Sequence, residues 1–222
     1  MKNVLVIAPH PDDEVLGCGA TIAKLASEGN NVYILVATRG TERFYSDDKI
    51  QNVRNEALKA HILLGVKKTF FLDFPAPELD TVALADISRE FSSIINELNI
   101  QSLFLPHRAD IHNDHQVVFN AGIVAARPVG TCPVTEIYAY ETMSETEWAA
   151  PFGDAVFIPN MFVDVFSFFE KKTEAMKCFK SQLRDFPNPR SIEALTALAQ
   201  YRGATVGFKA AEAFSIIRQI VK

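Results

Sequence analysis

Residues 4–14 read Val4-Leu5-Val6-Ile7-Ala8-Pro9-His10-Pro11-Asp12-Asp13-Glu14. A short β-rich apolar run is the mark of a buried strand. Here it ends in one imidazole and three carboxylates. Ligands in open α/β sheets bind outside the carboxyl ends of strands. Three neighbouring acids repel one another and need a compensating cation. A divalent metal supplies one, and a His–Asp donor pair suits zinc. Pro11 disfavours helix at His10 and fits the first turn of a following helix. Acids at a helix start are also common without any ligand. His10 adds a neutral nitrogen donor, and it lies three residues from Asp13, so the two converge across one turn.

Working outward, the chain alternates strand-like and helix-like segments. Val4–Ala8 is followed by a helical pattern over Val15–Glu28, stopped by Gly29. Val32–Ala37 reads as strand, Lys49–Leu64 as helix ended by Gly65, and Thr69–Leu72 as strand. Leu84–Leu98 is helical, Ser102–Leu105 a strand closed by Pro106, and Val117–Ala126 a helix before Pro128. This rhythm predicts an α/β fold, a Rossmann-like and mostly parallel sheet with helices on both faces. The second half is less regular. Glu136–Tyr140 and Met161–Val165 read as strands, Phe169–Leu183 as helix, and Ser191 as the cap of a helix through Tyr201. Ala210–Ile220 reads as a last helix. No low-complexity linker or internal repeat divides the chain, so residues 1–222 are expected to form one domain.

A second polar packet, His107, Asp110, His112, Asn113, Asp114 and His115, follows the strand ending at Leu105. The parallel order puts it on the same sheet edge as the first. Three of the five histidines fall within these nine residues, which raises the odds of a site over a lone structural histidine. Asp114 is placed to orient a histidine through its ring N–H. Together the packets offer two histidines and a carboxylate for one metal, with acids and a histidine to spare. That inventory suits hydrolysis of an amide or ester, with a carboxylate taking the proton of an activated water.

Bulk properties exclude several classes. Net charge is −5 with no basic patch, so nucleic acid is not an expected partner. Cys18, Cys132 and Cys178 are too few and scattered for a disulfide framework or a cysteine zinc site. Residues 1–8 read as strand and not as a signal peptide. No apolar stretch nears the roughly 18 residues of a membrane span. The expectation is a cytoplasmic protein without a membrane partner. Gly17-Cys18-Gly19 lacks dinucleotide-fingerprint spacing and reads as close helix–sheet packing, with Cys18 a small buried hydrophobe. His61 reads as structural, His107 as a brace for its loop, and Arg39 and Arg43 as solvated. Phe162, Phe166, Phe168 and Phe169 read as core, with an oligomer contact as the alternative.

The intact Pro9–Glu14 motif and His112-Asn113-Asp114-His115 make the resemblance specific. The sequence resembles the LmbE-like/PIG-L family of zinc-dependent N-acetylglucosamine deacetylases, which includes the deacetylases of GPI-anchor, mycothiol and bacillithiol synthesis. Weaker similarity runs through Ala37–Glu42, Arg54-Asn55-Glu56-Ala57, Leu64-Gly65, Ser181-Gln182, Tyr201-Arg202-Gly203 and Ala211–Phe214. The resemblance implies a Rossmann-like fold and His10, Asp13 and His115 as metal ligands. Zinc is the implied ion, and iron(II) and other divalent metals suit the same donors. It implies Asp12 as the general base for the metal-bound water. His112 would stabilise the tetrahedral intermediate or act as acid, tuned by Asp114. Arg54 matches a pocket arginine, with Glu42 and Asp73 as further sugar contacts. The implied substrate is a small N-acetyl amino sugar, and the implied assembly a homo-oligomer. Two other readings stay open: an amidohydrolase on a non-sugar N-acyl group, and a metal-binding module without turnover.

Overall fold

The first strand, β1 (Asn3–Ala8), lies inside the sheet, third from one edge. A computed structural model describes residues 1–221. Val4 and Val6 point into one hydrophobic cluster, and Leu5 and Ile7 into a second on the opposite face. Both faces are covered, which is why the run is continuously apolar instead of alternating.

Seven strands form one sheet in the order β3-β2-β1-β4-β5-β7-β6. β2 (Asn31–Gly40), β3 (Lys68–Ala76), β4 (Ser102–Pro106) and β5 (Glu136–Tyr140) run parallel to β1. Helices α1 (Asp13–Ser27), α2 (Asp47–Leu64) and α5 (Phe169–Cys178) pack on one face, and α3 (Leu84–Glu97) and α4 (Asn113–Ala125) on the other. The chain moves outward from β1 to β3, then returns to place β4 on β1's other side. The order therefore reverses between β1 and β4, and their carboxyl ends frame the crevice where ligands bind in such sheets.

The expected last helix over Ala210–Ile220 is a strand, β7 (Ala211–Gln219), antiparallel to β5. Alanine and glutamate favour helix in isolation, but β5 presents an open edge whose backbone groups need partners. Pairing there decides the conformation, and β6 (Met161–Asp164) adds outside β7, also antiparallel. The expected helix over Phe169–Leu183 ends early, at Cys178. Ser191 does cap α6 (Ile192–Ala204), accepting the Ala194 N–H.

Gly17 and Gly19 serve close packing. A Cβ at Gly17 would overlap the Tyr140 ring, and one at Gly19 would press on Lys172 and Val15. Tyr140 is fully buried and donates its hydroxyl to the Ile7 carbonyl at 2.9 Å, which ties β5 across β4 to β1.

Candidate active site

α1 begins at Asp13 and α4 at Asn113, both earlier than the apolar patterns indicate. Asp13, Asp114 and His115 thus stand in first helical turns, where exposed N–H groups favour carboxylates. His10 and Asp12 lie on the loop from β1, and His112 caps α4. Both packets meet at the reversal of strand order.

His10 Nδ1 and His115 Nε2 lie 3.3 Å and 3.2 Å from the same oxygen, Asp13 Oδ2. Ligand atoms of the three residues all fall within 4.8 Å of one another. Two tetrahedral ligands of a zinc ion stand about 3.3 Å apart. Asp13 Oδ1 and His115 Nε2 are buried without a hydrogen-bond partner; the 3.2 Å approach of His115 to Asp13 is charge attraction without hydrogen-bond geometry. Buried orphans of this kind are rare unless a ligand or ion satisfies them. The N₂O donor set and its geometry therefore fit a divalent ion. His10, His112 and Asp114 form a second, overlapping group.

Around the triad, His115 Nδ1 is held by Asp110 Oδ2 at 2.8 Å, and Asp110 Oδ1 accepts the Thr146 hydroxyl at 2.6 Å. Asp114 Oδ2 lies 3.0 Å from His10 Nε2 but 4.0 Å from His112 Nδ1, so its nearer histidine is His10. His112 Nδ1 instead accepts the backbone N–H of Asp114 at 3.2 Å, which leaves the proton of the neutral ring on Nε2.

Asp12 is 2% exposed and adopts φ 119°, in the left-handed half of conformational space. Arg190 Nη1 meets its Oδ2 at 3.1 Å. Arg190 also donates to Ser144 Oγ and Gln182 Oε1, and its Nη2 is 3.7 Å from Glu145. Arg190 and Glu145 escaped the sequence reading because they arrive on irregular segments with no motif. Asp110 stood in the second packet, but only the fold reveals that it braces His115.

Burial and charge oppose each other here. Burial alone would lower His10, but hydrogen bonds to Asp114 and Asp13 outweigh it and raise its pKa to about 9. His115 likewise loses by burial and gains more from Asp13 and Asp110, reaching about 10. Burial disfavours the charge on Asp13, yet His115 and His10 hold its carboxyl well below the usual range. Burial pushes Asp12 up to about 8 despite Arg190, with Asp13 and Glu14 adding to the rise. Burial, then His10, lowers His112 to about 4. Burial, then Asp13, raises Glu145 to about 7. A divalent cation is larger than any of these local charges and would displace protons from the histidines.

The other expected contacts, Arg54, Asp73 and Glu42, stand on α2, in β3 and just after β2. Arg54 Nη2 pairs with Asp73 Oδ1 at 2.7 Å and donates to the Leu72 carbonyl. A cleft of about 370 Å³ at the ends of β2 and β3 is lined by Arg39, Thr41, Glu42, Asp73 and their neighbours, and none of the triad lines it. Arg39 pairs with Asp47 and Arg43 with Glu78. His107 Nε2 donates to the Ala155 carbonyl at 2.9 Å, so that nitrogen carries the proton and the ring ties the end of β4 to the segment around Ala155. Among the phenylalanines, Phe168 packs against the core and Phe166 is exposed.

The chain belongs to the PIG-L family: the family model described as GlcNAc-PI de-N-acetylase matches residues 5–126. It is 33% identical to the uncharacterized deacetylase YaiS of Escherichia coli K12 over 81% of this chain and 91% of that protein. It is 28% identical to the diacetylchitobiose deacetylase of Thermococcus kodakarensis over 98% of this chain and 84% of that one. The crystal structure of GalB, the 4-carboxy-2-hydroxymuconate hydratase of Pseudomonas putida KT2440, superposes with a TM-score of 0.81 at 21% identity, covering 100% of this chain and 98% of that one. That last likeness is one of fold alone. No described helix is long and apolar enough to cross a membrane.

Proposed function

We propose that the protein is a metal-dependent hydrolase that removes the acetyl group from an N-acetylglucosamine-type sugar or glycoconjugate. The observation that carries this reading is the convergence of His10, Asp13 and His115, with two buried polar atoms lacking partners, beside an equally buried Asp12. The names of the two deacetylases above support the acyl class.

His10, Asp13 and His115 would hold the ion, zinc being the best match to the donors. Such an ion supplies Lewis acidity, acidifying a water and polarising the amide carbonyl. Asp12 is the general base. Its Oδ2 is engaged by Arg190, so Oδ1 is the oxygen that takes the proton. His112, with its proton on Nε2, donates to the oxygen that gains charge as the carbonyl is attacked. Asp114 fixes the ring of His10 and presents its N–H to His112. Arg54, Asp73 and Glu42 contact the sugar; charged and polar groups in the cleft suit a polyhydroxyl substrate better than an apolar one. A binding module without turnover has no use for a buried base beside the metal ligands.

Acetate release tests the reading. Zinc-loaded protein is offered N-acetylglucosamine, N,N′-diacetylchitobiose, N-acetylglucosaminides and non-sugar N-acetyl amides, each with a chelated control. Chelator-sensitive release confined to the sugars supports it. Faster release from the non-sugar amides moves the substrate class. No release from any of them, with metal bound stoichiometrically, rejects it.

A further inference from the structure

His61 stands on α2 and is 2% exposed. Its Nε2 lies 2.8 Å from Glu14 Oε1, and its Nδ1 lies 2.8 Å from the Thr69 hydroxyl on β3. Glu14 is fully buried, and its second oxygen, Oε2, accepts the backbone N–H of Asp12 at 3.2 Å. Three hydrogen bonds thus run from β3 through α2 to the amide of Asp12. With Nε2 donating to the carboxylate oxygen, the Thr69 hydroxyl, which can give or take a proton, closes the chain at Nδ1.

Asp12 needs such support. A side-chain-bearing residue at φ 119° is strained, and that conformation persists only where its surroundings over-determine it. Its carbonyl is held by the N–H groups of Val15 and Leu16 at 3.0 and 2.8 Å, as at any helix start. Its N–H is held by Glu14 alone among the described residues. A buried carboxylate with an unmade bond is expensive, so the donor on His61 decides where Glu14 points.

We infer that His61 is a positioning residue: through Glu14 it holds the Asp12 backbone in the conformation that aims the Asp12 carboxylate into the site. The significance for turnover rests on Asp12 being the general base, as proposed above; the structural link does not. Among the described residues His61 hydrogen-bonds Glu14 and Thr69 and none of the triad. Its effect belongs to the rate of proton removal and not to metal or substrate affinity.

The test compares His61→Leu, which removes both nitrogens, with His61→Gln, whose amide keeps a donor at nearly the Nε2 position, and with Thr69→Val. Three quantities are read on each zinc-loaded protein: metal stoichiometry, single-residue amide hydrogen exchange by NMR, and kcat and KM for whichever substrate the parent deacetylates. In His61→Leu the Asp12 amide is expected to exchange at least about tenfold faster than in the parent, while Val6 and Leu35 in the sheet do not change. Zinc stays stoichiometric, and kcat falls by about 10- to 100-fold, the scale of a small misplacement of a reacting group, with KM unchanged. His61→Gln restores most of both losses, and Thr69→Val lies between. Unchanged Asp12 exchange in a folded His61→Leu protein overturns the inference, as does a loss that spreads equally to the sheet amides or removes the zinc. If His61→Leu does not fold, parent-like exchange and kcat in Thr69→Val overturn it. A parent inactive on every substrate rejects the deacetylase reading, and the exchange data still decide the link to Asp12.

Discussion

His115 and Asp110 are joined by a 2.8 Å hydrogen bond between Nδ1 and Oδ2, and both side chains are fully buried. The bond orients the ring so that Nε2 faces Asp13. A carboxylate behind a ligating histidine also makes the ring a stronger donor. Asp110→Asn is therefore expected to weaken zinc binding by about 10- to 100-fold without unfolding the protein. Competition with a chromophoric chelator reads the affinity directly. Affinity equal to the parent's would leave Asp110 without this role.

The proposed mechanism gives the two histidines of the His112–His115 motif different duties. His115→Ala is expected to lose most of its metal, because it removes one of the three proposed ligands. His112→Ala is expected to keep the metal and turn over more slowly. Mass-spectrometric metal content of the purified variants separates them; equal depletion in both would refute the division.

Asp12→Asn keeps the size of the side chain and removes the proposed proton acceptor. Metal content should be unchanged while kcat falls by about 10²- to 10⁴-fold. Steady-state kinetics at saturating substrate measure it, and full activity would move the base elsewhere.

Gly17→Ala puts a methyl group into the Tyr140 ring. Tyr140 cannot swing away without giving up its bond to the Ile7 carbonyl. The expected destabilisation is about 1–3 kcal/mol, as for other overpacked cores. Urea unfolding reports it, and a parent-like midpoint would mean that the ring has room to move.

Glu136 links pH to stability away from the site. Burial raises its pKa, but hydrogen bonds from Lys2 and Ser102 outweigh that, and the net shift is downward. A carboxyl depressed in the folded state adds stability above its unfolded pKa, and the gain disappears as pH falls through the folded one. Lys2 is half exposed, so the pair is worth about 0.5–1 kcal/mol. Glu136→Gln should be less stable than the parent at pH 7 and equal to it near pH 3. A constant gap across that range would point to packing instead.

Much of this was legible in the residues. The parallel half announces itself because β1, β4 and most of β2 are continuously apolar and buried, and α1, α2 and α4 each stop just before a glycine or a proline. Ala211-Glu212-Ala213-Phe214 misled because local propensity knows nothing of the open edge of β5 that captured it. The two packets could be assigned to one sheet edge from strand order, yet which nitrogen faces which carboxylate required coordinates: Asp114 is closer to His10 than to His112. Arg190 was invisible because nothing near it in sequence marks that it returns to Asp12. His61, read as structural, is one link from the backbone of Asp12.

The reversal of strand order between β1 and β4 has a thermodynamic consequence. Asp13 and His115 are roughly a hundred positions apart in the chain, so an ion shared by them acts as a removable cross-link closing a very long loop. Whatever binds only the folded chain raises its stability in proportion to the logarithm of its free concentration. With the proposed site occupied, the melting temperature should therefore climb with added zinc and sink with chelator, which would make the ion a rheostat on folding as well as a participant in chemistry.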